Sequence, residues 1–311
     1  MSKDQRARLR HIEWRDEFLD EKPTQYNVDP PEGKEKQNFV LSYAPEQVIA
    51  DIRSSGKTFE LDKNGFCVVE DPLPDITWDK ETVESTYLPM AIALVHKAVP
   101  DATKVVPFDF RLRSSNKEKV EGELAFKNFT DWIAPFDMVH VDQSENRARE
   151  RVISHLGDEA AHLLKYRWRS LNLLTLTTSV WRPLEHPVRD CPLAVCDIST
   201  VGPRDLIAAD HYRETFAGEG LYMVYKPEHR WYYINEHTKD EVLVFKIYDS
   251  GDVPAKCCPH SSFRTDVVDE NMKPRESIEV RFLVFSAPPE DEENGEAQAQ
   301  QEMSAEVSVG A

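Results

Sequence analysis

Residues 138–144 read Met138-Val139-His140-Val141-Asp142-Gln143-Ser144, and the prediction of both fold and chemistry starts from this stretch. Polar and apolar side chains alternate with the period of two typical of a β-strand, so Met138, His140 and Asp142 share one face. An imidazole and a carboxylate on one face, one residue apart, can bind the same metal ion. A site with two histidines and one carboxylate needs one more histidine from elsewhere in the chain.

The His-x-acid spacing alone is not specific. With 10 histidines and 56 acidic residues among 311 positions, about two such pairs are expected by chance, and two occur, at His11-Ile12-Glu13 and at His140-Val141-Asp142. The β-alternating context and a histidine 120 residues later distinguish the second pair.

Composition excludes some classes of function. The net charge of −18 argues against binding of nucleic acid, which requires clustered Lys and Arg. A compact basic substrate pocket would be a local exception in this acidic chain. The run Arg147, Arg149 and Arg151 directly after the 138–144 stretch is typical of a solvated helix face, but it could also admit anionic substrates.

Cysteine usage and hydropathy predict a soluble cytoplasmic protein. The five cysteines are odd in number and form no Cys-x-x-Cys pair, which is typical of reduced thiols. No run of 18 apolar residues occurs, and the charged N-terminus does not resemble a signal peptide.

Three regions are predicted along the chain. Residues 1–37 form an extended charged arm, residues 38–286 a single domain with an N-terminal α/β elaboration, and residues 287–311 an acidic disordered tail. The fold class is mainly β with flanking helices, because six or so strands follow residue 170 and few helices do. A sandwich or barrel is expected.

Several local elements are predicted before and around the central strand 136–142. Residues Ala44–Ile52 are predicted to form a short helix or turn, in which Pro45 suits the first helical position. Asn64-Gly65 is typical of a hairpin turn. Apolar spacing predicts a helix over Trp78–Val99, and Pro89 inside this pattern predicts a kink.

The third ligand candidate is His260, in the penultimate strand of the β-rich region. A lone histidine in a late strand is more often a packed or surface residue than a ligand. A jelly roll, however, returns the penultimate strand beside the one that carries His140.

The last predicted strand directs arginines from one face. Ile278 to Val284 alternate with Arg275, Ser277, Glu279 and Arg281, and guanidinium binds carboxylate bidentately. If 257–265 and 277–285 form a hairpin, His260 lies opposite Arg281, which would then reach a dicarboxylate on the same metal. An exposed face of Arg–Glu pairs explains the pattern about equally well.

Taken together, these segments resemble the fungal AsaB-like hydroxylase/desaturase family, which is related to the CmcJ component of cephamycin methoxylation and to gibberellin desaturase-like proteins. The resemblance covers roughly residues 40–286 in the family's order. The segments that carry it are Leu61-Asp62-Lys63-Asn64-Gly65-Phe66, Val139-His140-Val141-Asp142-Gln143-Ser144, Val180-Trp181-Arg182-Pro183-Leu184, Pro192-Leu193-Ala194-Val195-Cys196-Asp197, His229-Arg230-Trp231-Tyr232-Tyr233, Phe245-Lys246-Ile247-Tyr248-Asp249-Ser250, Pro259-His260-Ser261-Ser262-Phe263 and Pro274-Arg275-Glu276-Ser277-Ile278-Glu279-Val280-Arg281.

The resemblance implies a double-stranded β-helix (jelly-roll) core that holds non-haem Fe(II) and uses 2-oxoglutarate and O2. The implied metal ligands are His140, Asp142 and His260, and Arg281 or Arg275 would bind the distal carboxylate of 2-oxoglutarate. Ser179 departs from the family pattern, in which Asn is expected before Val-Trp-Arg-Pro, and this leaves the substrate undefined.

Four further residues are candidates for substrate contact or for orienting the ligands. Gln143 and Ser144 adjoin the Asp142 ligand. Trp181 could wall the pocket and Arg182 could bind an anionic group, although a Trp that ends an apolar strand is more often core and such an Arg a buried strut.

Three functions follow from these observations. The first is an Fe(II)/2-oxoglutarate-dependent oxygenase that hydroxylates, desaturates or cyclises a small molecule in fungal secondary metabolism. The second is a non-catalytic jelly-roll binding or accessory subunit, and the third is a zinc hydrolase with the same ligands. Intact ligands argue against the second, and paired arginines argue against the third. Neither nucleic acid nor membrane is an expected partner, and a homodimer is a possible assembly.

Overall fold

The computed structural model describes residues 3–120, 132–165, 175–214, 216–265 and 271–286. The strands in these ranges are β1 (Gln5–Ala7), β2 (Arg10–Ile12), β3 (Thr24–Tyr26), β4 (Leu41–Tyr43), β5 (Gln47–Asp51), β6 (Phe66–Glu70), β7 (Lys104–Ser114), β8 (His140–Val141), β9 (Thr175–Pro183), β10 (Leu193–Cys196), β11 (Leu206–Arg213), β12 (Phe216–Met223), β13 (Trp231–Tyr233), β14 (Glu241–Asp249), β15 (His260–Ser262) and β16 (Glu276–Phe285). The helices are α1 (Leu61–Asn64), α2 (Lys80–Thr82), α3 (Leu88–Ala98), α4 (Glu145–Leu156) and α5 (Asp158–Lys165), with a π-helical turn over Val83–Tyr87 and 3-10 helices at Asp16–Leu19, Ile52–Ser54 and Ile198–Thr200.

Within the described ranges the strands form two large sheets and one strand pair, β2-β4. The larger sheet has the order β1-β5-β13-β10-β15-β8-β12-β11-β3, and the smaller sheet has the order β6-β14-β9-β16-β7. All pairs in the smaller sheet are antiparallel. Neighbours in both sheets are mostly distant in sequence, as expected when a chain winds back and forth between two layers.

The two sheets pack face to face. Trp181 and Phe245 from the smaller sheet belong to one buried cluster with Val195 and Tyr232 from the larger sheet. The opposite face of the smaller sheet packs against Tyr87 and the helix α3. The predicted fold, mainly β with flanking helices around a jelly-roll core, is therefore confirmed. No helix in the described part of the chain is long and apolar enough to cross a membrane.

Two local predictions are wrong. Residues Ala44–Ile52 do not form a helix; Gln47–Asp51 form β5, whose side chains alternate between buried and exposed or half-buried. Strand β5 lies between β1 and β13, and this pairing overrides the weak helical signal of Pro45.

The Asn64-Gly65 pair does not form a hairpin turn. It ends the one-turn helix α1, and Gly65 caps that helix with a left-handed φ of 87° before β6 begins. A hairpin turn and a helix C-terminus both favour a glycine at positive φ, so the Asn-Gly pair alone does not distinguish them.

The helix predicted over Trp78–Val99 is present from Lys80 to Ala98 as α2, the π-helical turn and α3. The π turn ends just before Pro89, whose missing N–H cannot complete a regular α-helical ladder. The predicted irregularity at Pro89 thus takes the form of a wider turn.

The arm residues add strands to the sheets. Strand β1 pairs with β5 and β3 pairs in parallel with β11, while Leu9 and Ile12 are buried. The division at residue 37 stays a prediction, and the tail predicted over 287–311 lies outside the described residues.

Gly65 offers a test of the fold around the site. A Cβ at this position would lie 2.5 Å from the carbonyl oxygen of Cys257, whereas a Cβ at Gly33, with a similar φ of 79°, would meet nothing within 4 Å. We expect Gly33→Ala to cost about 1 kcal/mol of unfolding free energy for the left-handed backbone, and Gly65→Ala to cost a further ~1–3 kcal/mol for the overlap. Urea denaturation of both variants measures this, and equal losses would contradict it.

His11 gives the structure a predictable pH dependence. Burial lowers the pKa of His11 to about 4 from the usual 6.5, against the opposing effect of the Met223 carbonyl. Because the unfolded chain binds this proton more readily, the stabilisation is complete above pH 6.5 and is lost as the pH falls towards 4, by about 3 kcal/mol. In urea titrations at several pH values, the free energy of unfolding should fall less steeply with decreasing pH for His11→Gln than for the wild type. Parallel declines would contradict the prediction.

Candidate metal centre

The two predicted histidine ligands lie side by side in the larger sheet. Strand β15 pairs with β8, and His260 is the direct register partner of His140. Asp142 follows β8 immediately. One ligand atom from each of these three residues lies within 4.8 Å of the other two, so His260 lies next to the His140–Asp142 pair although it is far from that pair in sequence.

Both imidazoles are held in the tautomer that suits a metal. Nδ1 of His140 lies 2.8 Å from the carbonyl oxygen of Met138, and Nδ1 of His260 lies 3.1 Å from that of Cys258. Since a carbonyl only accepts, each Nδ1 donates, and each Nε2 keeps its lone pair. Nε2 of His140 is 3.6 Å from Oδ1 of Asp142, which places donor atoms of both types together.

The electrostatics keep His260 and Asp142 in their ligating forms. Burial lowers the pKa of His260 to about 4, assisted by the neighbouring His140, so His260 is neutral at pH 7. Burial alone would raise the pKa of Asp142, but Arg281 and the two imidazoles outweigh it and hold that pKa well below its usual range. The site therefore presents the carboxylate of Asp142 beside two imidazoles whose Nδ1 atoms donate to backbone carbonyls.

Arg281 lies beside Asp142. Its Nε and Nη2 donate to the two carboxylate oxygens at 3.2 and 3.0 Å. The same guanidinium contacts Asp109 at 2.7 Å and Glu279 at 2.9 Å. The hairpin that was predicted to bring Arg281 here is wrong, since β15 lies in the larger sheet and β16 in the smaller one. Arg281 instead reaches Asp142 across the space between the sheets.

Arg275 has different surroundings. It is buried, and its Nη1 donates to the carbonyl oxygen of Cys191 at 2.6 Å and to the hydroxyl of Ser262 at 3.2 Å. Ser262 is on the strand of His260. Nε of Arg275 and the buried hydroxyl of Ser277, two residues further on, have no hydrogen-bond partner. Among the described residues, no carboxylate lies within 4 Å of this guanidinium.

Trp181 and Arg182 lie on opposite faces of β9. Trp181 is buried between the sheets, and the Arg275 guanidinium lies 5.5 Å from its ring centroid. Arg182 faces the helical layer, where it donates to a carboxylate oxygen of Asp71 at 2.6 Å and lies over the ring of Tyr87. Trp181 thus supports Arg275, while Arg182 is placed as a strut away from the three ligands.

The two residues after Asp142 have separate roles. The Ser144 hydroxyl accepts a hydrogen bond from the backbone N–H of Arg147 at 3.2 Å and so caps helix α4. Gln143 is buried, and its Oε1 has no hydrogen-bond partner. Neither residue forms a described hydrogen bond to an imidazole, since Nδ1 of each histidine donates to a backbone carbonyl.

Sequence analysis missed three polar residues that line the same space. Asp109 is the register partner of Arg281 on β7, the Ser179 hydroxyl donates to Glu279 at 3.2 Å, and Ser277 adjoins Arg275. Side-chain alternation could have identified them. Asp109, Arg111 and Arg113 alternate with apolar residues along one strand, and Ser277 lies on the same face of its strand as Arg275.

The chain matches the family model described as "Oxidoreductase/YMDC permease-like domain" over residues 10–285. It is 34% identical over 270 residues, or 84% of this chain and 90% of the relative, to "Fe(II)/2-oxoglutarate-dependent dioxygenase nvfI" of Aspergillus novofumigatus. It is 33% identical over 256 residues, or 76% of this chain and 82% of the relative, to "Hydroxylase/desaturase efuI" of Hormonema carpetanum. The solved structure of "iron and alpha-ketoglutarate-dependent endoperoxidase NvfI" superposes with a TM-score of 0.76 at 28% identity, covering 91% of this chain and 98% of that one.

The chain belongs to the family of fungal Fe(II)/2-oxoglutarate-dependent dioxygenases and hydroxylase/desaturases. The resemblance noted in the sequence is therefore confirmed, as is the class of reaction that it implied.

Proposed function

We propose that this protein is an Fe(II)/2-oxoglutarate-dependent oxygenase whose metal is held by His140, Asp142 and His260. The observation that carries the proposal is the convergence of these three ligand atoms within 4.8 Å of one another. Two imidazoles and one carboxylate on one side of a metal are the ligand set of non-haem Fe(II) oxygenases, and they leave positions open for co-substrates. With 2-oxoglutarate and O2, the bound Fe(II) supplies oxidative chemistry that removes hydrogen from a substrate carbon while 2-oxoglutarate becomes succinate and CO2.

We assign the distal carboxylate of 2-oxoglutarate to Arg275 with Ser277. Two buried polar atoms without partners, Nε of Arg275 and Oγ of Ser277, support this assignment, because a buried donor without an acceptor is costly unless a ligand supplies one. Among the described residues no carboxylate lies within 4 Å of this buried guanidinium, which leaves room for the carboxylate of a ligand. Ser262 links Arg275 to the strand of His260, so the anchor and the metal site share one rigid support.

We assign to Arg281 the positioning of Asp142. Both carboxylate oxygens of Asp142 accept from this guanidinium, and Asp109 and Glu279 compensate the rest of its charge. An arginine so engaged is a weaker candidate for binding a further dicarboxylate, although the sequence pattern had favoured it. Hydrogen bonds to a ligating carboxylate fix its orientation and tune its affinity for metal.

The substrate is proposed to be a small molecule of fungal secondary metabolism, as the names of the relatives suggest. A cytoplasmic location is supported by five free cysteines, of which Cys196, Cys257 and Cys258 are buried. A homodimer and the single-domain organisation of residues 38–286 stay predictions. The accessory-subunit and zinc-hydrolase alternatives are outcomes of the following test.

Succinate release from 2-oxoglutarate tests the proposed function. We expect the wild-type protein with Fe(II), ascorbate and O2 to release succinate, and His140→Ala to reduce both release and Fe(II) affinity on the order of 100-fold or more, since loss of a ligand exceeds loss of a supporting contact. The matched control is His186→Ala, which removes a half-exposed histidine paired only with Glu185. Equal activity in His140→Ala and the control would refute the metal assignment. Metal binding with no 2-oxoglutarate binding would favour the hydrolase.

A second experiment separates the two arginines. In Mn(II)-loaded protein we expect Arg275→Gln to raise the Kd for 2-oxoglutarate at least about tenfold with an unchanged Kd for Mn(II). Arg281→Gln should instead raise the Kd for Mn(II) about 10- to 100-fold. Isothermal titration measures both constants, and Arg230→Gln, at an exposed site, is the control. The reverse pattern would make Arg281 the anchor.

A further inference from the structure

His211, on β11, lies on the same face of the larger sheet as the ligand His140. Strand β12 lies between β8 and β11, and its residue Tyr222 is the register partner of both His140 and Ile207. Side chains alternate along a strand, so steps of two from Ile207 place His211 on the face of His140. The imidazole of His211 therefore points to the side of the sheet on which the metal ligands lie.

The ring of His211 lies close to the backbone that carries Asp142. A Cβ built at Gly220 of β12 would lie 3.7 Å from Nε2 of His211. The same Cβ would lie 3.4 Å from the carbonyl oxygen of Val141 and 3.6 Å from that of Asp142. His211 and the ligating loop thus lie on either side of Gly220, although His211 is not one of the three metal ligands.

A chain of hydrogen bonds that starts at a backbone carbonyl fixes the tautomer of His211. Nε2 of Gln37 donates to the carbonyl oxygen of Phe39 at 2.7 Å. Oε1 of Gln37 then accepts from Nε2 of Gln25 at 3.1 Å, and Oε1 of Gln25 accepts from Nδ1 of His211 at 3.2 Å. Because the first carbonyl can only accept, the direction of every bond in the chain is determined.

Nε2 of His211 is therefore a hydrogen-bond acceptor. Burial lowers the pKa of His211 to about 4, and the charges of Arg213 and His140 contribute, so the ring is neutral at pH 7. His211 is half-buried, and no residue in the described ranges forms a hydrogen bond with its Nε2. A lone pair beside the metal centre is thus left for a molecule that binds there.

The imidazole of His211 is held in place on its other sides. The buried Tyr222 contacts it edge-on, with 5.6 Å between the ring centroids. Gln25 belongs to β3, which pairs in parallel with β11, so a residue of the N-terminal arm orients the ring. An acceptor that is fixed before a ligand binds contributes more to affinity and selectivity than a mobile one.

The proposed co-substrate does not supply a partner for this lone pair. At neutral pH 2-oxoglutarate is a dianion without an O–H or N–H group, so it can only accept hydrogen bonds. Its distal carboxylate is assigned above to Arg275, which lies on the smaller sheet. The hydrogen-bond partner of Nε2 is thus a donor group of a different molecule.

We propose, on the basis of the function proposed above, that His211 binds the substrate and that its Nε2 accepts a hydrogen bond from a substrate hydroxyl or N–H group. Gln25 is the positioning residue that keeps the proton on Nδ1. A molecule that offers only acceptors or a negative charge at this point is disfavoured, because the lone pair would stay unpaired. The fixed hydrogen bond also selects which substrate carbon faces the metal.

Fluorine NMR of Mn(II)-loaded protein with saturating 2-oxoglutarate tests this inference. The probes are para-fluorophenol and para-fluoroaniline, each compared with para-fluorotoluene, and para-fluorobenzyl alcohol, compared with para-fluoroethylbenzene. In each pair a methyl group of similar size replaces the donor. Paramagnetic broadening of the fluorine signal reports binding near Mn(II) and gives the Kd. The Kd of the methyl compound divided by that of the donor compound measures the preference for a donor.

His211→Phe keeps an aromatic ring and removes the acceptor. For at least one pair we expect the preference for a donor to be about fivefold or more lower in this variant than in the wild type. Comparing the two proteins cancels the difference in hydrophobicity between the probes. His96→Phe, the same replacement at an exposed position of α3, should leave the preference unchanged. Equal preferences in the wild type and His211→Phe for every pair, or no bound donor probe, would overturn the inference.

Gln25→Met tests the positioning role. Nitrogen NMR of isotope-labelled histidine rings in Zn(II)-loaded protein shows which ring nitrogen carries the proton, and the signals of His211 are those lost in His211→Phe. We expect a protonated Nδ1 in the wild type, and a mixture of both tautomers with a weaker preference for a donor in Gln25→Met. An unchanged tautomer in Gln25→Met would refute the role of Gln25, and a protonated Nε2 in the wild type would overturn the inference.

The proton signals of 2-oxoglutarate in the Mn(II) samples distinguish this inference from the function on which it rests. If Mn(II) does not broaden those signals, the proposed function itself fails. If the signals broaden while the probe preferences are the same in His211→Phe and the wild type, only the role of His211 fails.

Discussion

His260 pairs directly with His140 across two very short strands, and the metal centre depends on this register. Strand β8 has two residues and β15 has three, so neither strand would be stable alone. Strand β8 is held between β15 and β12, and the N–H of Val139 donates to the carbonyl oxygen of Arg10. A slip of one residue would turn His260 to the other face and separate it from Asp142. The long strands elsewhere in the two sheets therefore fix the position of the short ones that carry the ligands.

The second constraint is the polar network between the sheets. Arg281 on the smaller sheet binds Asp142, which follows a strand of the larger sheet. Such a buried ion pair is not in itself strong evidence for stability, because desolvation offsets its Coulomb energy. Its effect is geometric: the Arg281 guanidinium contacts Asp109, Asp142 and Glu279 together and so links the two sheets through one network of ion pairs. The apolar cluster around Trp181 holds the sheets together, and the polar network sets the position of the Asp142 carboxylate.

Much of this architecture could be predicted from local pattern. The alternation at 138–144 and 275–285, the helix that ends before Pro100, and the strands after residue 175 all follow from side-chain period. Two features could not be predicted in this way. The conformation of Ala44–Ile52 depends on pairing with β1 and β13, which are far away in sequence. The Asn64-Gly65 pair is compatible with either a hairpin turn or the end of a helix. The pairing of 257–265 with 277–285 failed for a related reason, since the consecutive strands β14, β15 and β16 lie alternately in the smaller and the larger sheet.

The roles of the two arginines show why pattern alone stops short of function. Arg275 and Arg281 share one face of one strand, six residues apart, and sequence treats them alike. Their neighbours separate them: Arg281 has three carboxylates within 3.2 Å of its nitrogens, while Arg275 contacts a carbonyl, a hydroxyl and an aromatic ring. Burial lowers the pKa of Arg275 to about 10, against the opposing charges of Asp190 and Glu279, and among the described residues no carboxylate forms an ion pair with it within 4 Å. A buried charge of that kind costs several kcal/mol unless it is neutralised, so a carboxylate ligand gains affinity from relieving that cost. The same desolvation argument supports the proposed roles, in which Arg281 positions Asp142 and Arg275 binds the co-substrate.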